Sequence, residues 1–136
     1  YLNLRRTRID NDCLAHLKNM RKLKTLLLGS TRIGDDGVTH LTQIPSLEVL
    51  SLSNTHLTDD GLVQLAACKH LRELRIDHTA ATDVGLHRLQ AMQNLRLLAL
   101  GSRNTPWETV ESLRRTLPHR EIRMSSNTLP SLPTRP

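Results

Sequence analysis

The 136-residue sequence has no phenylalanine, one tyrosine (Tyr1) and one tryptophan (Trp107). A core made from it has to be aliphatic, and a surface that grips single-stranded nucleic acid by stacking bases on rings is not expected. Two cysteines, Cys13 and Cys68, are too few for a disulfide scaffold, and their spacing fits no zinc or redox motif. No apolar run is long enough to span a membrane as a helix, and no signal peptide is visible. The chain also lacks a nucleophile elbow, a phosphate loop, an HExxH run and a paired-cysteine motif. Nothing therefore points to an enzyme, a cofactor or a resident metal. Acidic residues are short relative to basic ones, 13 against 19, for a formal charge of +6. That balance leaves an anionic partner open without specifying a fold. The sequence opens at Tyr1 in the middle of a pattern, so the expectation is a fragment whose upstream repeats or cap have been removed.

What the sequence has in abundance is leucine at a fixed interval. Thr7, Thr31, Thr55 and Thr79 recur every 24 residues, as do Leu23, Leu47, Leu71 and Leu95. The same interval relates Leu26, Leu50, Leu74 and Leu98, then Leu28, Leu52, Ile76 and Leu100. It also relates Leu14, Val38, Leu62 and Leu86, then Leu17, Leu41, Leu65 and Leu89, and Met20, Ile44, Cys68 and Met92 close each unit. In-register columns without an insertion are the signature of a solenoid.

Each unit carries two periods in succession. Leu50 and Leu52 alternate with Val49, Ser51 and Ser53, a period of two, which predicts a short strand with one buried face. Thr55 follows, placed to turn inward and satisfy backbone groups of the stacked turns. Thr58-Asp59-Asp60-Gly61 then predicts a helix start, with Thr58 as N-cap and the carboxylates in the electropositive first turn. Leu62, Leu65 and Cys68 or Ala66 supply the buried helical stripe. One such unit cannot bury its own apolar side, so its neighbours must stack on it.

The last unit departs from the pattern. Arg103 takes the threonine position and Pro106-Trp107 the Thr-Asp-x-Gly position. Thr105 as N-cap and Pro106 in the first turn predict a helix with Val110, Leu113 and Leu117 on its apolar stripe, stopped by Pro118. Glu121 to Met124 is expected as a closing strand. Residues 103–124 then form a C-terminal cap of a domain spanning 1–124, and 125–136 a flexible, Pro-rich tail. Within the tail, Leu129 to Arg135 matches a PxxPxR ligand for SH3-type grooves, a short pattern that chance often supplies.

Units of the type Thr58-Asp59-Asp60-Gly61-Leu62 and Thr82-Asp83-Val84-Gly85-Leu86 resemble the leucine-rich repeats of many bacterial, especially planctomycete-type, proteins. They are also similar to the repeats of F-box substrate adapters. The resemblance covers residues 1–124 and implies an α/β leucine-rich-repeat solenoid, with parallel strands on the concave face and helices on the convex face. It implies a scaffold and no particular ligand. The function that follows is non-catalytic protein–protein recognition by the concave face. The alternative is the recognition segment of a larger enzyme or ubiquitin-ligase adapter whose active part lies upstream.

The candidate contact residues are those pointing away from the core along the strands: Tyr1, Asn3, Arg5, Leu27, Val49, Ser51, Glu73, Arg75, Asp77, His78 and Leu97. Leu27, Val49 and Leu97 have no folding reason to be apolar there, although scattered exposed apolar residues are ordinary. The acidic column Asp12, Asp36 and Asp60, beside Asn11, Asp35, Asp59 and Asp83, superficially suits calcium, but helix starts account for it and the Arg8, Arg32 and His56 column offsets its charge. His16 and His40 share a column with no third ligand. Cys13 and Cys68 are roughly 10 Å apart by strand spacing, too far to bridge, and both read as small buried apolar residues. Reduced thiols suit a cytoplasmic location. Basic residues at the helix exits, from Lys18, Arg21, Lys22 and Lys24 through Lys69, Arg72 and Arg96 to Arg114, Arg115, Arg120 and Arg123, read as solvated surface, and nucleic acid is not the expected partner.

Overall fold

The alternation at Leu26, Leu50, Leu74 and Leu98 places one side chain per strand into a common interior, and a constant interval puts them in one row. The computed structural model describes residues 1–101 and 105–124. Its strands are β1 (Leu2–Asn3), β2 (Thr25–Leu27), β3 (Val49–Ser51), β4 (Glu73–Arg75), β5 (Leu97–Leu100) and β6 (Glu121–Met124). They form one parallel sheet in sequence order. The register pairs Leu26 with Leu50, Leu50 with Leu74, Leu74 with Leu98 and Leu98 with Ile122. The sequence columns are thus the ladder itself, and the closing strand keeps the step although the helix before it is longer.

Returning segments lie on the other side of the core. They are a 3₁₀ turn (Asp12–Leu17), α1 (Asp35–Leu41), α2 (Asp59–Leu65), α3 (Asp83–Arg88) with a 3₁₀ extension (Leu89–Ala91), and α4 (Trp107–Thr116). Leu14, Val38, Leu62, Leu86 and Val110 are buried from this side and meet the strand leucines in a single aliphatic core. Burying a leucine side chain is worth about 1.5–3 kcal/mol, so the repeated rows supply most of the driving force.

Between strand and helix the chain reverses at one residue per unit. Arg6, Ser30, Asn54 and His78 take the left-handed conformation, with φ of 58°, 59°, 56° and 54°. The next residue is the threonine, whose hydroxyl donates back to the strand-end carbonyl three residues earlier. The bonds run from Thr7 to Leu4, Thr31 to Leu28 and Thr55 to Leu52, each 2.6 Å, and from Thr79 to Ile76 at 3.0 Å. The threonine therefore closes its own turn, and it does not reach to the stacked turn as expected from the sequence.

Four expectations are corrected. Cys13 is exposed, because at the first turn nothing covers the column that Gly37, Gly61 and Gly85 occupy under a neighbouring unit. Cys68 is half-buried against the core, and burial pushes its thiol up to about 11. Met20 is 44% exposed at the end of the stack, whereas Ile44 and Met92 in its column are buried. The cap helix begins at Trp107 with Pro106 as its N-cap, one residue later than predicted. Arg103 and the tail motif Leu129 to Arg135 lie outside the described residues.

Candidate functional site

The outward rows of the sheet make the concave face. Tyr1, Asn3, Arg5 and His78 are exposed, while Leu27, Val49, Glu73, Arg75, Asp77 and Leu97 are partly so. Ser51 is the exception among the predicted contact residues: it has no accessible surface. Its register partners Leu27 and Arg75 carry far longer side chains than the serine between them. Its hydroxyl has no hydrogen-bond partner. As a contact residue Ser51 is therefore withdrawn.

The charged residues of the face are held in place. Arg75 forks onto Glu73, with both Nε and a terminal nitrogen 2.6 Å from one carboxylate oxygen. Arg123 repeats the arrangement with Glu121 at 2.6 Å, two strands further on. Leu97 and Ala99 lie between these two pairs on β5. The face there is an apolar slot with an immobilised ion pair on each side. Ser53 donates to Asp77 at 3.0 Å, and the other Asp77 oxygen is buried without a partner.

The column beside the acidic one, Asn11, Asp35 and Asp59, has a structural use that sequence reasoning credited only to helix starts. Asn11 accepts from the Gly34 amide at 2.9 Å. Asp35 accepts from the Thr58 amide at 2.9 Å and its hydroxyl at 2.5 Å. Asp59 accepts from the Thr82 amide at 2.7 Å and its hydroxyl at 2.6 Å. Thr58 and Thr82 in turn cap their own helices by accepting from Asp60 and Val84 at 3.3 Å. The first three joints are clamped in this way at the helix start. The clamp explains the glycine column, since a Cβ at Gly61 or Gly85 would overlap the Asp35 or Asp59 carboxylate. Among the described residues no group of three or more His, Cys, Asp or Glu side chains is placed to hold an ion.

The basic stripe at the helix exits is also partly occupied. Glu48 lies between Lys24 at 3.2 Å and Arg72 at 3.6 Å, and the hydrogen bond from Lys24 holds its carboxyl below the ordinary range. These residues, with Arg96 and His70, rim a groove of about 380 Å³. Arg114 stacks over Trp107 at 5.4 Å. Arg120 donates to the carbonyls of Leu95, Leu89 and Met92 at 3.0, 3.1 and 2.5 Å, and burial lowers its guanidinium pKa. It closes the last joint and is not free for an anion.

What sequence reasoning missed lies at the rim where strands leave the concave face. Arg8 and Arg32 were assigned to offsetting the column Asp12, Asp36 and Asp60, yet neither takes part in an ion pair among the described residues. The signal was present in the columns, because Arg8, Arg32 and His56 directly follow the threonine turn. No helix of the described residues is long and apolar enough to cross a membrane.

A family described as leucine-rich repeat matches residues 19–41 and 43–66. Among proteins of known structure, the chain is similar to a leucine-rich-repeat protein of Leptospira interrogans. There the TM-score is 0.59 at 24% identity, over 79% of this chain and 27% of that one. Internalin C2 of Listeria monocytogenes gives 0.60 at 24% identity, over 82% of this chain and 48% of that one. The second actin-binding site of leiomodin-1 gives 0.67 at 18% identity, over 87% of this chain and 78% of that one. At these identities the likeness is one of fold, and the chain spans less than half of each of the two bacterial proteins. No curated protein matches the sequence.

Proposed function

We propose that the concave face of this leucine-rich-repeat fold is a non-catalytic surface for recognising a protein partner. The observation that carries this is the set of three apolar side chains, Leu27, Val49 and Leu97, partly exposed on two outward rows of a sheet whose core rows are already full. Apolar side chains in that place add nothing to the core, while desolvating them against a partner is favourable. The flanking Glu73–Arg75 and Glu121–Arg123 pairs supply charged rims on either side of Leu97. The leiomodin-1 segment of similar fold is named as an actin-binding site, so this scaffold supports protein binding elsewhere. The proposed domain runs from residue 1 to 124, with 125–136 outside it.

A photo-crosslinking residue placed at Leu27, Val49 or Leu97 should capture the partner. The same residue at Val63 or Val84, which are exposed on α2 and α3, should not. With the partner identified, Leu27→Asp or Arg75→Glu is expected to weaken binding by about tenfold or more. Unchanged affinity in both variants would move the site off this face.

A further inference from the structure

We propose that the rim formed by Arg5, Arg6, Arg8 and Arg32 docks a short acidic peptide segment of the partner. The proposal rests on the concave face being a recognition surface and names the chemistry of one end of it.

Stacking brings these residues together. Positions one unit apart sit side by side on adjacent turns, about 4.8 Å apart by strand spacing. Arg6 thus neighbours Ser30, which neighbours Asn54, and Arg8 neighbours Arg32, which neighbours His56. The left-handed residues at Arg6, Ser30 and Asn54 fold the chain back sharply. Two troughs of about 390 and 330 Å³ lie along this edge and share Ser30 and Asn54 as walls. The first contains Arg5 and Arg6, the second Arg8 and Arg32.

No carboxylate lines either trough. All four arginines are exposed, and none takes part in the ion pairs among the described residues. By contrast Arg72, Arg75 and Arg123 are engaged by glutamates, Arg114 by the Trp107 ring and Arg120 by carbonyls, while Arg21, Arg88, Arg96 and Arg115 stand apart from one another without forming a row. Like charges held on neighbouring strands repel, so an unneutralised row costs stability and contributes no packing. A carboxylate-bearing ligand removes that cost, and the guanidinium fork matches a carboxylate in two parallel hydrogen bonds.

Length and composition choose the occupant. Downstream the row ends, because Ala80 follows His56 in one column and Asp77 follows Ser53 in the other. The charged run therefore covers roughly 10 Å, two strand spacings, or about three to four residues of extended peptide. A phosphate backbone needs a longer basic track for useful affinity, and single strands need aromatic platforms that the rim lacks. Ser30 and Asn54, already bonded to each other at 3.1 Å, offer further donors and acceptors for a peptide backbone.

The test uses the full 136-residue chain and a fluorescein-labelled hexaglutamate peptide, followed by anisotropy from low to physiological salt. Binding that weakens with salt is expected, and Arg8→Glu/Arg32→Glu should reduce affinity about tenfold. Arg5→Glu/Arg6→Glu should act similarly. Lys18→Glu/Arg21→Glu, an equal charge change at exposed residues of the first helix exit, should change affinity less than about twofold. Equal losses in rim and control variants would reduce the effect to net charge and overturn the proposal. Tighter, rim-dependent binding of an oligothymidylate of equal charge would overturn it in favour of a phosphate surface. Circular dichroism of each variant separates lost binding from lost folding. Failure here leaves the crosslinking result at Leu27, Val49 and Leu97 untouched, and failure there leaves this peptide result untouched.

Discussion

The joint between α2 and α3 and the joint between α3 and α4 are built on the same columns from different parts. In the first, the Asp59 carboxylate takes both the amide and the hydroxyl of Thr82. In the second, the corresponding position is Pro106, which has no N–H to give, and Asp83 turns back to the amide of Val84 at 3.0 Å. The glycine under the first clamp, Gly85, is replaced one unit later by Thr109, a buried side chain. With no carboxylate reaching across, there is room for it. The cap joint is held from the other end, by the Arg120 guanidinium on the carbonyls of the previous helix exit, and by His87 with Ser112 at 3.2 Å. A repeat can thus lose its defining motif and keep its register, provided another polar group closes the same gap.

The largest effect should come from adding one carbon beneath the interior clamp. Gly85→Ala places a Cβ against the Asp59 side chain and 2.8 Å from the Asp59 Cα, which side-chain motion cannot relieve. A loss of about 3 kcal/mol in urea unfolding is expected. Gly34→Ala is the control, because its added carbon meets nothing nearer than 3.6 Å, and it should cost less than about 0.5 kcal/mol. Equal losses in the two variants would show that the glycine column owes nothing to the clamp.

The cap joint is probed next. Arg120→Met keeps the stem of the side chain and removes the bonds to the carbonyls of Leu89, Leu95 and Met92. Because those carbonyls face a partly buried gap, the expected cost is about 2 kcal/mol. Protection of the β6 amides from hydrogen exchange should fall with it, while that of β3 should not. Third in size is the clamp itself. Asp59→Ala should cost about 1–2 kcal/mol, discounted because Thr82 is exposed, whereas Asp83→Ala should cost less than about 0.5. A comparable loss at Asp83 would mean that the first-turn charge matters and the cross-unit bonds do not.

The contrast also explains what was legible in the sequence. The sheet was legible to the residue, because Leu26, Leu50, Leu74 and Leu98 recur without insertion and their interval is the register. The clamp was half legible. Asp35 and Asp59 were visible as a column, but a carboxylate at a helix start has two uses, and only the backbone position of the next unit decides between them. Arg120 lies 24 residues after Arg96, yet one points to solvent and the other into a carbonyl cluster, a difference set by the longer α4. The site was least legible. An alternation such as Val49, Ser51 and Ser53 gives the direction of each side chain and not what overhangs it, and so Ser51 was counted as contact surface although it is fully buried between Leu27 and Arg75 in the ladder. Arg8 and Arg32 were discounted because Asp12, Asp36 and Asp60 run close to them in the columns, yet no ion pair joins them among the described residues.

The smallest effect tests whether the two joints differ on the concave side at all. There the backbone bonds run through the interior joints and the cap joint without change, from Ser30 to Ser53 at 2.9 Å, from Asn54 to Asp77 at 2.7 Å and from His78 to Gly101 at 2.6 Å. Ser30 and His78 both hold positive φ, at 59° and 54°, which disfavours a side chain by about 1 kcal/mol. Glycine relieves that strain but loses more entropy on folding, so the net gain from Ser30→Gly or His78→Gly should be about 0.5 kcal/mol. If the strand ladder makes the concave side uniform, the two gains are equal, and they stay equal in an Arg120→Met background. A gain at His78 that disappears when Arg120 is removed would show that loosening the cap frees the turn beside it, so that the convex and concave sides of the last joint unfold together.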